Sequence, residues 1–145
     1  MSYKPNSFNI HELAHPQIIK SIGEANAWLR LDEDCLYDLQ TIRDKWFNIY
    51  GSGIYVNRLD YGLDSRGLRP PNDKDGSFYS THKQGTTFDL EPVNGLYESL
   101  FLFIVDMVKK GELCKINTME DFKYTKTWIH VGYMNTGKKL LIIKP

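Results

Sequence analysis

The stretch LYESLFLFIVDMVKKGELCKIN, residues 96–117, decides the fold class. Leu96, Tyr97, Leu100, Phe101, Ile104, Met107 and Val108 recur at three- and four-residue steps, which predicts a helix closed by Lys109, Lys110 and Gly111. So wide an apolar stripe is a core face rather than a cofactor box. After it, residues 114–117, 127–133 and 139–144 read as strands, and before it the β-branched and aromatic run 86–90 reads as another. Further upstream, residues 58–80 are rich in Gly, Pro, Asp and Asn, including Pro70-Pro71 and Asp75-Gly76. A loop of that length within a domain tends to be either functional or disordered. Residues 54–57 form a short predicted strand. Asp32 is an N-cap for a helix with Leu36, Leu39, Ile42, Trp46 and Phe47 on one face and Gly51 beyond its end. Residues 9–23 are helical in pieces, with Pro16 in a first turn. Helices first, then strands around one long helix, predict an α+β fold with a small, mainly antiparallel sheet.

The surrounding numbers bound the function. A chain of 145 residues suits one domain, here 1–145, with residues 1–30 as an N-terminal extension of short helices. Lys and Arg number 18, as do Asp and Glu, so the net charge is zero. That balance argues against nucleic acid or an anionic membrane as partner. The longest apolar run, 100–105, is far short of the roughly 20 residues a membrane helix needs. The N-terminal segment MSYKPNSFNIHELAHP shows neither an apolar h-region nor a small-residue cleavage site, so no secretory signal is expected. Two cysteines, Cys35 and Cys114, make no disulfide framework and read as small buried hydrophobes.

Two motifs compete for a metal. His11-Glu12-Leu13-Ala14-His15 fits the H-E-x-x-H pattern, in which two histidines one helical turn apart share a zinc and the Glu is a base. Against it, Pro16 pushes His15 out of the helical region, and only ten residues precede His11. No further Gly or His follows at the spacing of the longer form. The rival is Ser80-Thr81-His82-Lys83-Gln84-Gly85-Thr86-Thr87-Phe88-Asp89, with Trp128-Ile129-His130 much later. His82, Asp89 and His130 would give a catalytic zinc its three protein ligands and leave a fourth position open. Gly85 allows the turn that returns Asp89 toward His82. Strand alternation lets His130 face a site while Ile129 and Val131 pack.

This second motif resembles the zinc D-Ala-D-Ala carboxypeptidases, D-Ala-D-Ala dipeptidases and phage L-Ala-D-Glu endopeptidases, whose hallmark is S-x-H-x-x-G-x-A-x-D followed by W-x-H. Ser80, His82, Gly85 and Asp89 match the first piece, and Trp128 and His130 the second. The segment Ser65-Arg66-Gly67-Leu68-Arg69-Pro70 resembles the upstream S-G-x-R segment, which places Arg69 on the family's substrate-binding arginine and Ser80 near the bound substrate. The resemblance runs from about residue 36 to 144. It implies a hedgehog/DD-peptidase-like fold, a zinc cofactor and hydrolysis of peptidoglycan stem peptides. The short, signal-free form is most like phage-encoded members. Those act from the host cytoplasm at lysis or travel in the virion, where other virion proteins would be partners.

Two departures stand out. Thr87 replaces the usual Ala. More important, relatives place an Asp or Glu a few residues before the last His, and here that position is Thr127. After Asp121 come five lysines and no acidic side chain. A carboxylate normally moves the proton in such a reaction. Asp121 is the favoured base, with Glu120 as alternative and Glu91 or Asp64 as substitutes. Failing these, the domain is an inactive structural or wall-binding component of a virion.

Overall fold

Asp32 and Asp38 organise the first half of the chain. In the computed structural model, which describes residues 3–73 and 80–145, the Asp32 carboxylate accepts from the Cys35 N–H at 3.0 Å and opens the longest helix. Three short helices come before it: α1 (Ile10–Leu13), α2 (Pro16–Ile22) and α3 (Glu24–Leu29). The capped helix is α4 (Glu33–Tyr50), and α5 (Tyr97–Lys109) is the apolar helix that the sequence marks most clearly. The strands are β1 (Ile54–Tyr55), β2 (Thr87–Pro92), β3 (Thr118–Glu120), β4 (Ile129–Gly132) and β5 (Leu141–Ile143). The expected Asp75-Gly76 turn lies outside the described residues. No described helix is long and apolar enough to cross a membrane.

The strands form one sheet in the order β1-β2-β4-β3-β5. Its two faces divide the residues by period-2 alternation. Phe88, Leu90, Met119, Ile129 and Val131 turn one way and are fully buried, in one core with Leu36, Leu39, Ile42 and Trp46 of α4 and Leu100, Ile104 and Met107 of α5. Each such side chain contributes roughly 1.5–3 kcal/mol on burial. The interleaved residues Asp89, Glu120 and His130 are thereby set on the opposite face. The core fixes the site.

The fold is α+β and the sheet is mainly antiparallel, as the sequence predicts, with two details beyond expectation. The sheet is mixed, because β3 and β5 pair in parallel while the other pairs are antiparallel. Both edges of β4 are taken, by β2 and β3, so the chain leaving β4 cannot close a hairpin on it. Turning back, it runs alongside β3 instead. Nor do residues 114–117 form a strand. The buried Asp38 carboxylate accepts from the N–H groups of Cys114, Lys115 and Ile116, each at 2.8 Å, and so takes the donors a ladder would have used. Pairing starts four residues later than expected, at Thr118.

The N-terminal helices are stitched to the middle of the chain. Leu68 N–H donates to the Leu13 carbonyl at 2.7 Å, and His15 N–H donates to the Leu68 carbonyl at 2.9 Å. This approach requires glycine at position 67, where a Cβ would collide with the Leu13 carbonyl.

Candidate metal centre

Asp89 on β2 stands directly opposite His130 on β4. Residues in such a pair share a face, and Asp89 Oδ1 lies 2.9 Å from His130 Nδ1. On the other side of β4, the register Thr118↔Gly132 and Met119↔Val131 continues to place Glu120 beside His130. Glu120 Oε1 is 2.9 Å from the same Nδ1. One imidazole nitrogen therefore faces two carboxylates across three adjacent strands.

His82 enters from outside the sheet, on a turn held by Lys83 N–H to the Ser80 carbonyl at 2.9 Å and Gln84 N–H to the Thr81 carbonyl at 3.2 Å. Gly85 closes that turn with φ +75°, beside the Arg30 carbonyl, where a side chain has no room. The His82 carbonyl accepts from Arg69 N–H at 3.2 Å, which ties the arginine segment to the turn. His82 Nδ1 lies 3.0 Å from the Gly67 carbonyl oxygen. A carbonyl only accepts, so Nδ1 carries a proton, and in the neutral imidazole Nε2 then presents its lone pair. Carbonyl-oriented imidazoles of this kind are common among metal ligands.

That lone pair is the most informative atom in the site. His82 Nε2 is buried and has no hydrogen-bond partner among the described residues. It faces Asp89 Oδ2 at 3.4 Å, one acceptor against another. A buried acceptor without a donor is costly, and a cation between the two atoms removes the cost. Ligands 2.0–2.2 Å from a tetrahedral zinc stand about 3.3–3.6 Å apart, which fits this separation. Ligand atoms of His82, Asp89 and His130 all lie within 4.8 Å of one another, and the three residues are 3%, 7% and 9% exposed. The group could hold a metal ion. No other such group of three occurs among the described residues.

The electrostatics agree. Burial pushes the Asp89 carboxyl up, but the hydrogen bond from His130 and the two imidazoles beside it outweigh that and hold Asp89 well below the usual carboxylate range. Burial likewise opposes charge on His130, yet Asp89 and Glu120 outweigh it and raise the imidazole to about 9.

Around this trio lies an open groove of about 460 Å³, with Arg69, Ser80, Glu120, Trp128 and Lys144 in its lining. The Arg69 guanidinium donates through Nε to the Ser65 carbonyl at 2.7 Å and brings Nη2 to 3.7 Å from Asp89 Oδ2. Arg69 and Ser80 thus meet the trio as expected.

The favoured base does not. Asp121 lies just past the end of β3 and is not in the lining of the groove. Its Oδ1 accepts from Lys123 N–H at 3.1 Å, and its Oδ2 is 3.8 Å from Lys123 Nζ. Glu120, the alternative, is the acid at the site. Glu91 is committed to Arg66 at 2.7 Å, Arg58 at 3.2 Å and the Tyr97 hydroxyl at 3.2 Å. Asp64 pairs with His15 at 3.3 Å. The alternation Thr118-Met119-Glu120 is the signal that sets Glu120 beside His130, and a predicted strand at 114–117 hides it.

The H-E-x-x-H segment is not one helix, because α1 ends at Leu13 and Ala14 is extended at φ −133°, ψ 148°. His11 Nε2 lies 3.2 Å from Glu24 Oε1, and His15 caps α2. No family profile, curated protein or solved structure matches the chain.

Proposed function

We propose that the chain is a zinc peptidase that hydrolyses peptide bonds in the stem peptides of bacterial peptidoglycan. In this reading it is a phage-encoded relative of the D-Ala-D-Ala carboxypeptidases and L-Ala-D-Glu endopeptidases, with their hedgehog/DD-peptidase-like fold. It reaches the wall at host lysis or with the virion. The observation that carries the reading is the bare His82 Nε2 converging with Asp89 and His130. Glu120 on the same row adds the acid that the motif alone lacks.

His82, Asp89 and His130 would hold the ion, through two imidazole nitrogens and one carboxylate. Zinc in such a place supplies a Lewis acid for the scissile carbonyl and makes water acidic enough to attack near neutral pH. With His130 Nδ1 among the atoms that would hold the ion, Glu120, 2.9 Å from it, would be left free to act as the general base. It takes a proton from water as the new C–O bond forms and returns it to the amide nitrogen as the C–N bond breaks. Arg69 holds a substrate carboxylate through a charge-assisted pair, and Ser80 borders the same place. Gly67 takes no chemical part, but its carbonyl keeps His82 in the ligating tautomer. The alternative of a non-catalytic virion component rested on a missing carboxylate. Glu120 leaves it without an observation of its own.

The test is metal analysis of the purified protein, followed by its incubation with purified peptidoglycan and mass spectrometry of the products. One zinc per chain and new peptide termini are expected. An intact wall after treatment with fully loaded protein would sink the proposal.

A further inference from the structure

The groove has an order along the sheet. Arg69 lies beside Asp89 of β2, then come His130 of β4 and Glu120 of β3, and Lys144 follows directly after β5, whose Ile143 pairs with Glu120. Three strand spacings separate β2 from β5, about 14 Å at about 4.8 Å each. An extended peptide covers that in about four residues, so a short peptide laid across the strands reaches from one end to the other. Asp89 and Glu120 make the middle of the groove anionic. Lys144, by contrast, is exposed at its β5 end and pairs with no carboxylate among the described residues. Trp128 and Met134 give the stretch between them an apolar wall. A cation left unpaired beside a metal centre, at a peptide's length from an arginine, suits a ligand with negative charge at both ends.

We propose that Lys144 is a specificity-determining residue, pairing with a second carboxylate of the bound peptide at the end of the groove opposite Arg69. The identity of that peptide as a peptidoglycan stem rests on the zinc-peptidase reading. The pairing itself rests on the groove. The preferred substrate is then a dianionic peptide of three or four residues, and amidating the carboxylate at the Lys144 end weakens it. Lysine here acts as a point charge, so arginine substitutes for it and a neutral side chain does not.

The probes are a synthetic stem tetrapeptide, L-Ala-γ-D-Glu-L-Lys-D-Ala, with both carboxylates free, and two versions with one or the other amidated. Binding is measured by calorimetry on the zinc-loaded Glu120→Gln protein, with and without Lys144→Met or Lys144→Arg. With Lys144 present, each amidation should weaken binding about two- to fivefold, the range expected of an accessible charge pair. With Lys144→Met, one of the two amidations should lose its effect, and Lys144→Arg should restore it. Raising the salt concentration should shrink the same difference. If Lys144→Met weakens all three peptides alike, or none, the assignment is wrong. Hydrolysis by the otherwise unaltered protein separates the two claims. Cleavage without a Lys144-dependent amidation effect overturns this inference and keeps the peptidase. A Lys144-dependent preference in binding without any cleavage does the reverse. Failure of all three peptides to bind overturns both.

Discussion

His11, Glu12 and His15 sit within five consecutive positions, whereas His82, Asp89 and His130 are spread over 49. The compact group matches a metal motif by spacing, yet its side chains part company. His11 goes to Glu24, while His15 spends one nitrogen on a backbone N–H and the other on Asp64. The dispersed group is gathered by a sheet and a turn, buried, and left with one nitrogen that no described residue satisfies. A metal site consists of lone pairs aimed at one point in a place where water cannot repay them. Sequence proximity supplies neither. In the first group Pro16 breaks the helix that would have aligned the two imidazoles, and both stay near solvent. In the second, the cross-strand register and a carbonyl-held tautomer do the aligning.

The sharpest way to break this comparison is to count ions. The protein with His82→Ala should lose stoichiometric zinc, from about one ion per chain to almost none by elemental analysis. A protein with His11→Ala and His15→Ala together should keep its zinc. The opposite pattern would reverse the assignment of the two groups.

Next in size is the effect on turnover. Glu120→Gln should retain zinc and lower kcat on stem peptides about 10²–10⁴-fold, the usual worth of a proton-transfer group. Asp121→Asn, one position along and engaged with Lys123 outside the groove, should stay within about twofold. A large loss at Asp121 with none at Glu120 would mean that β3 is out of register by one residue.

These two predictions mark what the sequence could reveal. The helices α4 and α5, the α+β class and the trio were legible, because they depend on apolar period, a cap and a spaced motif. The choice between Glu120 and Asp121 was not, since it hangs on where a three-residue strand begins. That start is set by Asp38, some eighty positions earlier, which occupies the N–H groups of residues 114–116. The parallel pairing of β5 was hidden for a similar reason. It follows from both edges of β4 being filled, which is a property of the whole sheet. Likewise, only the packed structure brings the Gly67 carbonyl to His82.

A third prediction uses pH on the metal-stripped protein. His130 has its folded value raised to about 9, against about 6.5 for an unfolded histidine. A raised value stabilises the fold fully below the unfolded value, and that contribution is lost as pH climbs toward the folded one. Stability measured by denaturant should therefore fall between about pH 6.5 and 9, by on the order of 2–3 kcal/mol. Zinc-loaded protein should show no such slope, because the metal and not a proton holds Nδ1. Equal slopes with and without zinc would place the ion elsewhere.

The smallest effect belongs to the compact group, and it tests what those residues do instead. His15 Nδ1 accepts from Gln17 N–H at 3.0 Å and so caps α2. An accepting Nδ1 obliges Nε2 to carry the proton, and Nε2 points at Asp64 Oδ2, 3.3 Å away. Both nitrogens are then spoken for, and neither offers a lone pair to a metal. Helix caps are typically worth about 0.5–2 kcal/mol, while partly exposed ion pairs give about 0–1 kcal/mol. His15→Ala should thus lower the denaturation midpoint by an amount equal to about 1 kcal/mol, with zinc content unchanged. Asn is among the best capping residues but cannot reach as far as an imidazole, so His15→Asn should restore the cap and forgo Asp64. If His15→Asn is as unstable as His15→Ala, the Asp64 contact and not the cap is what His15 contributes. If either change reduces bound zinc, the compact group takes part in the metal site after all, and the contrast between the two groups fails.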